Sequence, residues 1–357
     1  MTSTYPTALI TGASGFIGAN LAEALVARHG PGSVIALVAP DGRPIEQERL
    51  LRLRGLGVRI LTCDLLRLPE PALEVPRFDI LYHLAAYTET ETSSPQMRVN
   101  SEGTRHLLDW LGGSLRGKRL VFTGTMASYD RDRPWGPIDE RTPCTPRTPY
   151  GTTKLLAEES IRSRAPELEY TFTILRLCTV LGPEYRAGGM FGIFPQMLAA
   201  GSLATSLNWP GKTSIISVLD VVNILLAVPA LPQAANELYV VSNGEDPSFD
   251  QLLALIASVL GLPRRRIALP RPLWRLLFHI LWPIAGSPLA PYRFRVFCWR
   301  VCNMIGDGMY ASSRKLDALI GSSYRSIEDS LRQAFADGPS SPPAPGISAR
   351  RAARTTP

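Results

Sequence analysis

Lysine is scarce. In 357 residues it stands at Lys118, Lys154, Lys212 and Lys315 alone, so a lysine at a chemically meaningful spacing carries information. Cysteine is sparse too: Cys63, Cys144, Cys178, Cys298 and Cys302 form an odd, scattered set with no C-x-x-C pair, which argues against zinc or a redox dithiol. Reduced thiols in a cytoplasm are expected, and no metal site. No charged segment followed by an apolar run and a small-residue cleavage site opens the chain, so export is not expected.

The composition, 45% apolar and 19% charged, describes a soluble globular protein of one large or two modest domains. The net charge of +7 is unevenly placed. Residues 261–357 hold 15 Lys+Arg against 5 Asp+Glu, a net +10, which leaves −3 for residues 1–260. These arginines are not interleaved with a recognisable nucleic-acid module, so nucleic acid is not an expected partner. An anionic membrane surface suits the basic excess better.

The stretch that organises the rest is Thr11-Gly12-Ala13-Ser14-Gly15-Phe16-Ile17-Gly18, between the apolar run Ala8-Leu9-Ile10 and a helical pattern from Phe16 to Arg28. A strand, three glycines at G-x-x-G-x-x-G spacing and a helix make a unit able to hold a dinucleotide. Gly12 permits the tight turn, Gly15 lets backbone approach a pyrophosphate, and Gly18 lets the helix pack closely on the sheet. Free amides at the helix start then face the phosphates.

The alternation continues. Strands are predicted at Val34–Val38, Val58–Thr62, Ile80–Leu84, Leu120–Thr123 and Thr171–Arg176, with helices at Glu46–Leu53, Gln96–Leu111 and Gly151–Arg164. This rhythm implies an α/β fold with a doubly wound parallel sheet, a Rossmann fold that binds ligands at the carboxyl ends of its strands. After Gly182-Pro183 the rhythm breaks. Residues 1–183 read as the NAD(P)-binding domain and 184–337 mainly as a smaller, interwoven C-terminal substrate domain, with a helix near Phe191–Ala200, a strand at 238–241 returning to the sheet and a helix at Phe249–Leu260.

Leu273 to Trp282 is apolar and tryptophan-rich, flanked by Arg264, Arg265, Arg266, Arg271, Arg293 and Arg295. It is too short, and too interrupted by Pro272, Arg275 and Pro283, to span a bilayer. One reading is a helix lying in a membrane interface, contacting it through 272–283; the other is a buried lid or dimer helix. Residues 338–357, rich in Pro and Ser with Arg350, Arg351 and Arg354, read as a disordered tail.

Tyr150 and Lys154 lie four apart at the start of a predicted helix, on one face. A free tyrosine titrates near 10, but a neighbouring ammonium and an oxidised nicotinamide favour the phenolate, which can then exchange a proton with a carbinol. Thr125, just past strand five, offers a hydroxyl to orient the substrate oxygen; satisfying its own turn is the alternative.

With these residues in place the chain resembles an extended short-chain dehydrogenase/reductase, the superfamily of NAD-dependent epimerase/dehydratases and 3β-hydroxysteroid dehydrogenases, over roughly residues 7–335. Thr11 to Gly18 matches its T-G-x-x-G-F-I-G, with Gly12, Gly15, Phe16, Ile17 and Gly18 as cofactor contacts. Asp64 and Leu65 match its adenine-binding position, and His83-Leu84-Ala85-Ala86 its strand-four loop, where Leu84, Ala85 and Ala86 touch the cofactor. Val99 to Thr104 matches V-N-x-x-G-T, and Leu175 to Pro183 and Val218 to Val221 match later signatures. The resemblance implies hydride transfer between a carbinol carbon and nicotinamide C4, with Tyr150 as acid/base, Lys154 binding ribose and lowering the tyrosine pKa, and Thr125 orienting. It casts Asn100, His83 and His106 as structural.

Departures from the pattern narrow the reading. Met126 and Ala127 stand where sugar-nucleotide dehydratases carry Asp-Glu, which disfavours dehydration. Thr179 replaces an Asn, and Thr213 a diphosphate-gripping Arg, of many nucleotide-sugar epimerases, with Lys212 adjacent. At the end of strand two, Asp41 suits the ribose of NAD while Arg43 leaves NADP open. The expected function is an epimerase or ketoreductase of a nucleotide sugar, with a sterol-like alcohol dehydrogenase as the alternative and a non-catalytic NAD(P)-binding scaffold behind both. A small-molecule substrate is expected, and similar proteins commonly pair as homodimers.

Overall fold

The computed structural model describes residues 6–68, 73–88, 95–129, 136–185, 189–321 and 323–336; the tail reading of 338–357 lies outside them. The apolar runs form β1 (Ala8–Thr11), β2 (Val34–Val38), β3 (Arg59–Thr62), β4 (Ile80–His83), β5 (Arg119–Thr125), β6 (Thr171–Leu177), β7 (Thr179–Leu181), β8 (Ile215–Ser217) and β9 (Glu237–Val241). Seven of these make a parallel sheet in the order β3-β2-β1-β4-β5-β6-β9, and β7 and β8 pair separately, also parallel. The strand order reverses between β1 and β4, the place where such sheets open a crevice.

The helices are α1 (Phe16–His29), α2 (Pro44–Gly55), α3 (Arg98–Leu111), α4 (Pro149–Leu168), α5 (Met190–Ala199), α6 (Leu203–Ser206), α7 (Val218–Ala227), α8 (Phe249–Leu260), α9 (Arg271–Gly286), α10 (Tyr292–Ile305), α11 (Arg314–Ile320) and α12 (Ile327–Ala336). Because both faces of the sheet are covered, β1 and β2 are buried at every position rather than at alternate ones. Ile10 and Ala36 join Leu21 of α1, Leu53 of α2 and Val221 of α7 on one face. Leu9, Ile35 and Leu37 join Leu107 of α3 and Ile161 of α4 on the other. A third core, around Phe191, Trp209, Phe249, Trp274, Phe278 and Cys302, holds the C-terminal helices together.

The observed elements depart from the sequence expectation in three places. Strand five runs on to Thr125, so that hydroxyl sits on the sheet's last rung instead of beyond it. Within 184–235, which reads as substrate domain, α7 packs back against α1, because Val221, Ile224 and Leu225 form an apolar stripe that the sheet-side core takes up. Finally, α9 runs through Pro283, which falls in its last turn, while Pro272 falls in the first turn, where a missing N–H costs nothing.

Candidate functional site

The glycine turn has the geometry that its spacing predicts, with one change of role. Gly12 has φ +69°, and a Cβ there would lie 2.7 Å from the Ala85 Cα, so the turns after β1 and β4 touch backbone to backbone. A Cβ on Gly18 would lie 2.2 Å from the Gly12 carbonyl oxygen. Gly18 therefore lets α1 close on its own entry turn, not on the sheet. Gly15 precedes α1 with no side-chain cap and no acidic residue in the first turn, which leaves the helix's opening amides to an anion.

Behind this turn runs a directed chain of hydrogen bonds. The Thr104 hydroxyl donates to the Asn100 carbonyl (2.6 Å), so it can only accept from His83 Nε2 at 2.8 Å. His83 Nδ1 then accepts from the Thr11 hydroxyl (2.7 Å), whose oxygen accepts from the Ala85 N–H (3.2 Å). Burial holds the His83 pKa down at about 3, helped by the Lys154 charge, so the ring is neutral. The Asn100 side chain accepts from the Tyr87 N–H (2.7 Å) and donates to the Tyr87 carbonyl (3.0 Å) and to Thr153 on α4 (3.1 Å). His83 and Asn100 are thus structural, as expected, and together they fix β1, β4, α3 and α4 to one another. His106 bonds the Leu65 carbonyl at 3.2 Å.

Thr125 at the end of β5 and Tyr150 in the first turn of α4 line one cavity, and Lys154 follows Tyr150 by one helical turn. The Thr125 hydroxyl accepts from the Ala127 N–H (3.2 Å), capping the turn Met126–Ser128. Thr148 caps α4 by accepting from the Gly151 N–H (3.1 Å). Gly151 was not singled out in the sequence, yet it sets the closeness: a Cβ there would lie 2.0 Å from the Ala127 carbonyl oxygen. Lys154 is buried, with Nζ 3.9 Å from the centre of the Phe122 ring and no hydrogen-bond partner among the described residues.

Burial raises the Tyr150 pKa in the absence of a ligand, opposed by the nearby Thr125 hydroxyl. Burial likewise lowers Lys154 to about 7, opposed by Glu158 one turn along α4. Without a ligand, desolvation outweighs attraction at both groups, and the phenol is not pre-ionised by the lysine. Glu158 is itself committed to Arg176 of β6, with both side chains buried and a shortest contact of 2.6 Å.

Thr125 and Tyr150 open onto a cavity of about 340 Å³, walled also by Met126, Cys178, Trp299 and Asn303. Among the described residues, no charged side chain lines it. Trp299 and Asn303 come from α10, far along the chain from Tyr150, and no sequence motif marks them.

The other predicted contacts surround the glycine turn. Leu84 donates its N–H to the Thr11 carbonyl (3.3 Å), Ala85 meets Gly12, and Ala86 follows. Phe16 lies beneath the Arg49 guanidinium at 5.7 Å, and Ile17 packs into the first core. Asp41 is exposed after β2, whereas the Arg43 guanidinium is held by Glu46 at 2.6 Å, which leaves the acidic group free for a ribose and the basic one engaged. After β3, Asp64 accepts from the Leu66 N–H (3.0 Å), with Leu65 buried beside it. Among the described residues, no group of His, Cys, Asp or Glu could hold a metal ion. A dinucleotide fits the residues present: an unpartnered buried ammonium awaits acceptors at Lys154, and an uncapped helix start awaits an anion at Gly15.

Comparison with known proteins agrees with this geometry. The family model for the NAD dependent epimerase/dehydratase family matches residues 8–242. Sterol demethylase protein B of Methylococcus capsulatus is 29% identical over 339 residues, 93% of this chain and 96% of that one. UDP-glucose 4-epimerase of Vibrio cholerae is 25% identical over 274 residues, 74% of this chain and 79% of that one. Among solved structures, UDP-glucuronic acid 4-epimerase of Bacillus cereus, in complex with UDP-glucuronic acid and NAD, superposes with a TM-score of 0.67 at 20% identity, covering 93% of this chain and 98% of that one.

Proposed function

This chain belongs to the NAD dependent epimerase/dehydratase family, and on that footing we propose that it oxidises or epimerises a secondary alcohol at the cavity beside Tyr150. The observation that carries the reading is that Thr125 and Tyr150 line one cavity, with Lys154, buried and without a hydrogen-bond partner among the described residues, one helical turn after Tyr150. NAD, when bound, supplies the ring carbon that accepts hydride. Gly12, Gly15, Phe16, Ile17 and Gly18 would hold its diphosphate end, Asp41, Asp64 and Leu65 its adenosine end, and Leu84, Ala85 and Ala86 the crevice between. Lys154 would donate to its ribose hydroxyls. Thr125 would orient the substrate oxygen, and Tyr150, as the phenolate that the charges of oxidised NAD and Lys154 would favour once the cofactor is bound, would take the carbinol proton as the carbonyl forms. Net oxidation and epimerisation share this first step. Met126 and Ala127 bring no carboxylate to the cavity, which leaves water elimination without an acid/base pair.

Two substrate classes fit this chemistry. The epimerases among the relatives favour a nucleotide sugar. The cavity, lined by no charged side chain among the described residues, together with the near full-length match to a sterol demethylase protein, favours a neutral, sterol-like alcohol over a diphosphate. The protein on this reading works in a cytoplasm, at the inner face of a membrane touched through 272–283; among the described residues no helix is long and apolar enough to cross one.

The test is hydride transfer to NAD from a panel of nucleotide sugars and hydroxysteroids, with Tyr150→Phe as the control. Turnover should fall by about 10²–10⁴-fold while NAD still binds. Undiminished turnover in Tyr150→Phe would sink the mechanism.

A further inference from the structure

Between Asp250 and Asp307 the chain carries eight arginines, no lysine and no carboxylate. Arg264 and Arg266 both pair with the Asp250 carboxylate, at 2.6 and 2.9 Å. Arg265, Arg271, Arg275 and Arg293 are exposed and make no ion pair among the described residues. The same segment builds α9 and α10, which pack against each other and are joined by a short turn.

Each helix is apolar on two sides. One side of α9 buries Trp274 and Phe278 in the third core, while Leu273, Leu276 and Ile280, at helical spacing, face solvent. On α10, Val296 and Cys302 are buried, while Phe294 and Phe297 stack on each other outside, with Phe297 58% exposed. Leu289, in the joining turn, is 95% exposed. Soluble surfaces do not ordinarily present so many large apolar side chains on one helical pair.

We propose that the α9–α10 pair docks on an anionic lipid bilayer, its outer leucines and phenylalanines entering the headgroup layer and its free arginines meeting lipid phosphates. The charge pattern selects this occupant. A second copy applied face to face would set arginine against arginine with no carboxylate on either side. Residues 338–357 hold three arginines and no Asp or Glu, so they bring no countercharge either. Phosphates of a bilayer supply that charge, and acyl chains the apolar partner. Docking would also place the cavity beside lipid, because α10 contributes Trp299 and Asn303 to its wall. The inference thereby deepens the reading of that cavity as the site of an uncharged alcohol and rests on it for the use of docking, although not for its detection.

Flotation of the full-length protein with vesicles tests it without turnover. Vesicles of phosphatidylcholine mixed with phosphatidylglycerol should carry the protein, phosphatidylcholine alone far less, and salt should weaken the difference. Arg275→Ser with Arg293→Ser should lower partitioning roughly twentyfold, at about fivefold per arginine. Phe294→Ser with Phe297→Ser should abolish flotation while NAD affinity and unfolding temperature stay unchanged. Tyr150→Phe should float like the unaltered protein, so an error in the proposed chemistry would leave this result standing. The proposal is overturned if anionic vesicles do not carry the protein, if both double variants still float, or if Phe294→Ser with Phe297→Ser splits a stable dimer instead.

Discussion

The Lys154 ammonium lies 3.9 Å from the centre of the Phe122 ring and donates to no hydrogen-bond acceptor among the described residues. On the sheet, His83 neighbours the same ring at 5.4 Å, neutral and fully bonded. The cation–π contact returns part of what burial removes, but it saturates none of the three N–H donors. The lysine pocket is thus strained electrostatically until acceptors arrive.

Replacing Lys154 by Met should therefore stabilise the protein in the absence of NAD, by on the order of a few kcal/mol at neutral pH, and weaken NAD binding. The unfolded lysine titrates near 10.5 and the folded one near 7, so between those values the unfolded chain holds more protons. This lysine's contribution makes stability rise with pH from about 7 to 10.5 and fall on the way down. Denaturant titrations across that range check both points: a Met variant that is less stable without NAD, or that keeps the slope, contradicts the account.

His83 sets the acid limb. With a folded pKa near 3 against 6.5 unfolded, its contribution is intact above 6.5 and is lost as pH falls towards 3, because burial, helped by the Lys154 charge, disfavours the protonated ring. In His83→Gln the fall in stability between those values should be shallower, even if the variant starts less stable. Equal slopes by chemical denaturation would argue against burial holding the ring neutral.

Gly151→Ala should uncouple folding from chemistry. A methyl 2.0 Å from the Ala127 oxygen forces α4 away from the turn after β5. Overpacking of this kind costs about 1–3 kcal/mol. A displacement on the order of 1 Å between Tyr150 and the substrate oxygen lowers turnover about 10²-fold. Kinetics and thermal unfolding on the same variant check it, and wild-type turnover would show that the close approach is incidental.

Glu158→Gln removes the partner of a buried guanidinium and should destabilise by about 3–5 kcal/mol. Because Glu158 also raises the Lys154 pKa, that pKa should drop further in the variant. Adding Arg176→Met should recover most of the stability, which a double-mutant cycle measures.

What the sequence disclosed was whatever is local. The glycine turn and the Tyr150–Lys154 pair depend on spacing within one turn or one helix, and the alternating strands depend on runs of a few residues, so each was readable from neighbours alone. What it hid is set by approach across the chain. The Gly151–Ala127 contact, the Glu158–Arg176 pair and the return of α7 to α1 join residues from separate elements, and Trp299 and Asn303 reach the cavity wall from a distant helix. A glycine in the first turn of α4, where helix propensity disfavours it, was the available hint of the first. Burial of the Tyr150 phenol, which raises its pKa in the absence of a ligand, is likewise not revealed by spacing.

The place of β9 has a consequence for how the protein is made. Its partner β6 is complete at Leu177, yet the strand that closes that margin, Glu237–Val241, leaves the ribosome only after β7, α5 and α7. For several seconds of synthesis the nascent chain shows a bare row of amides and carbonyls, backed by Ile174 and Leu175, to any passing strand. Slow translation through 178–236 would lengthen that window and favour aggregation before the sheet is sealed.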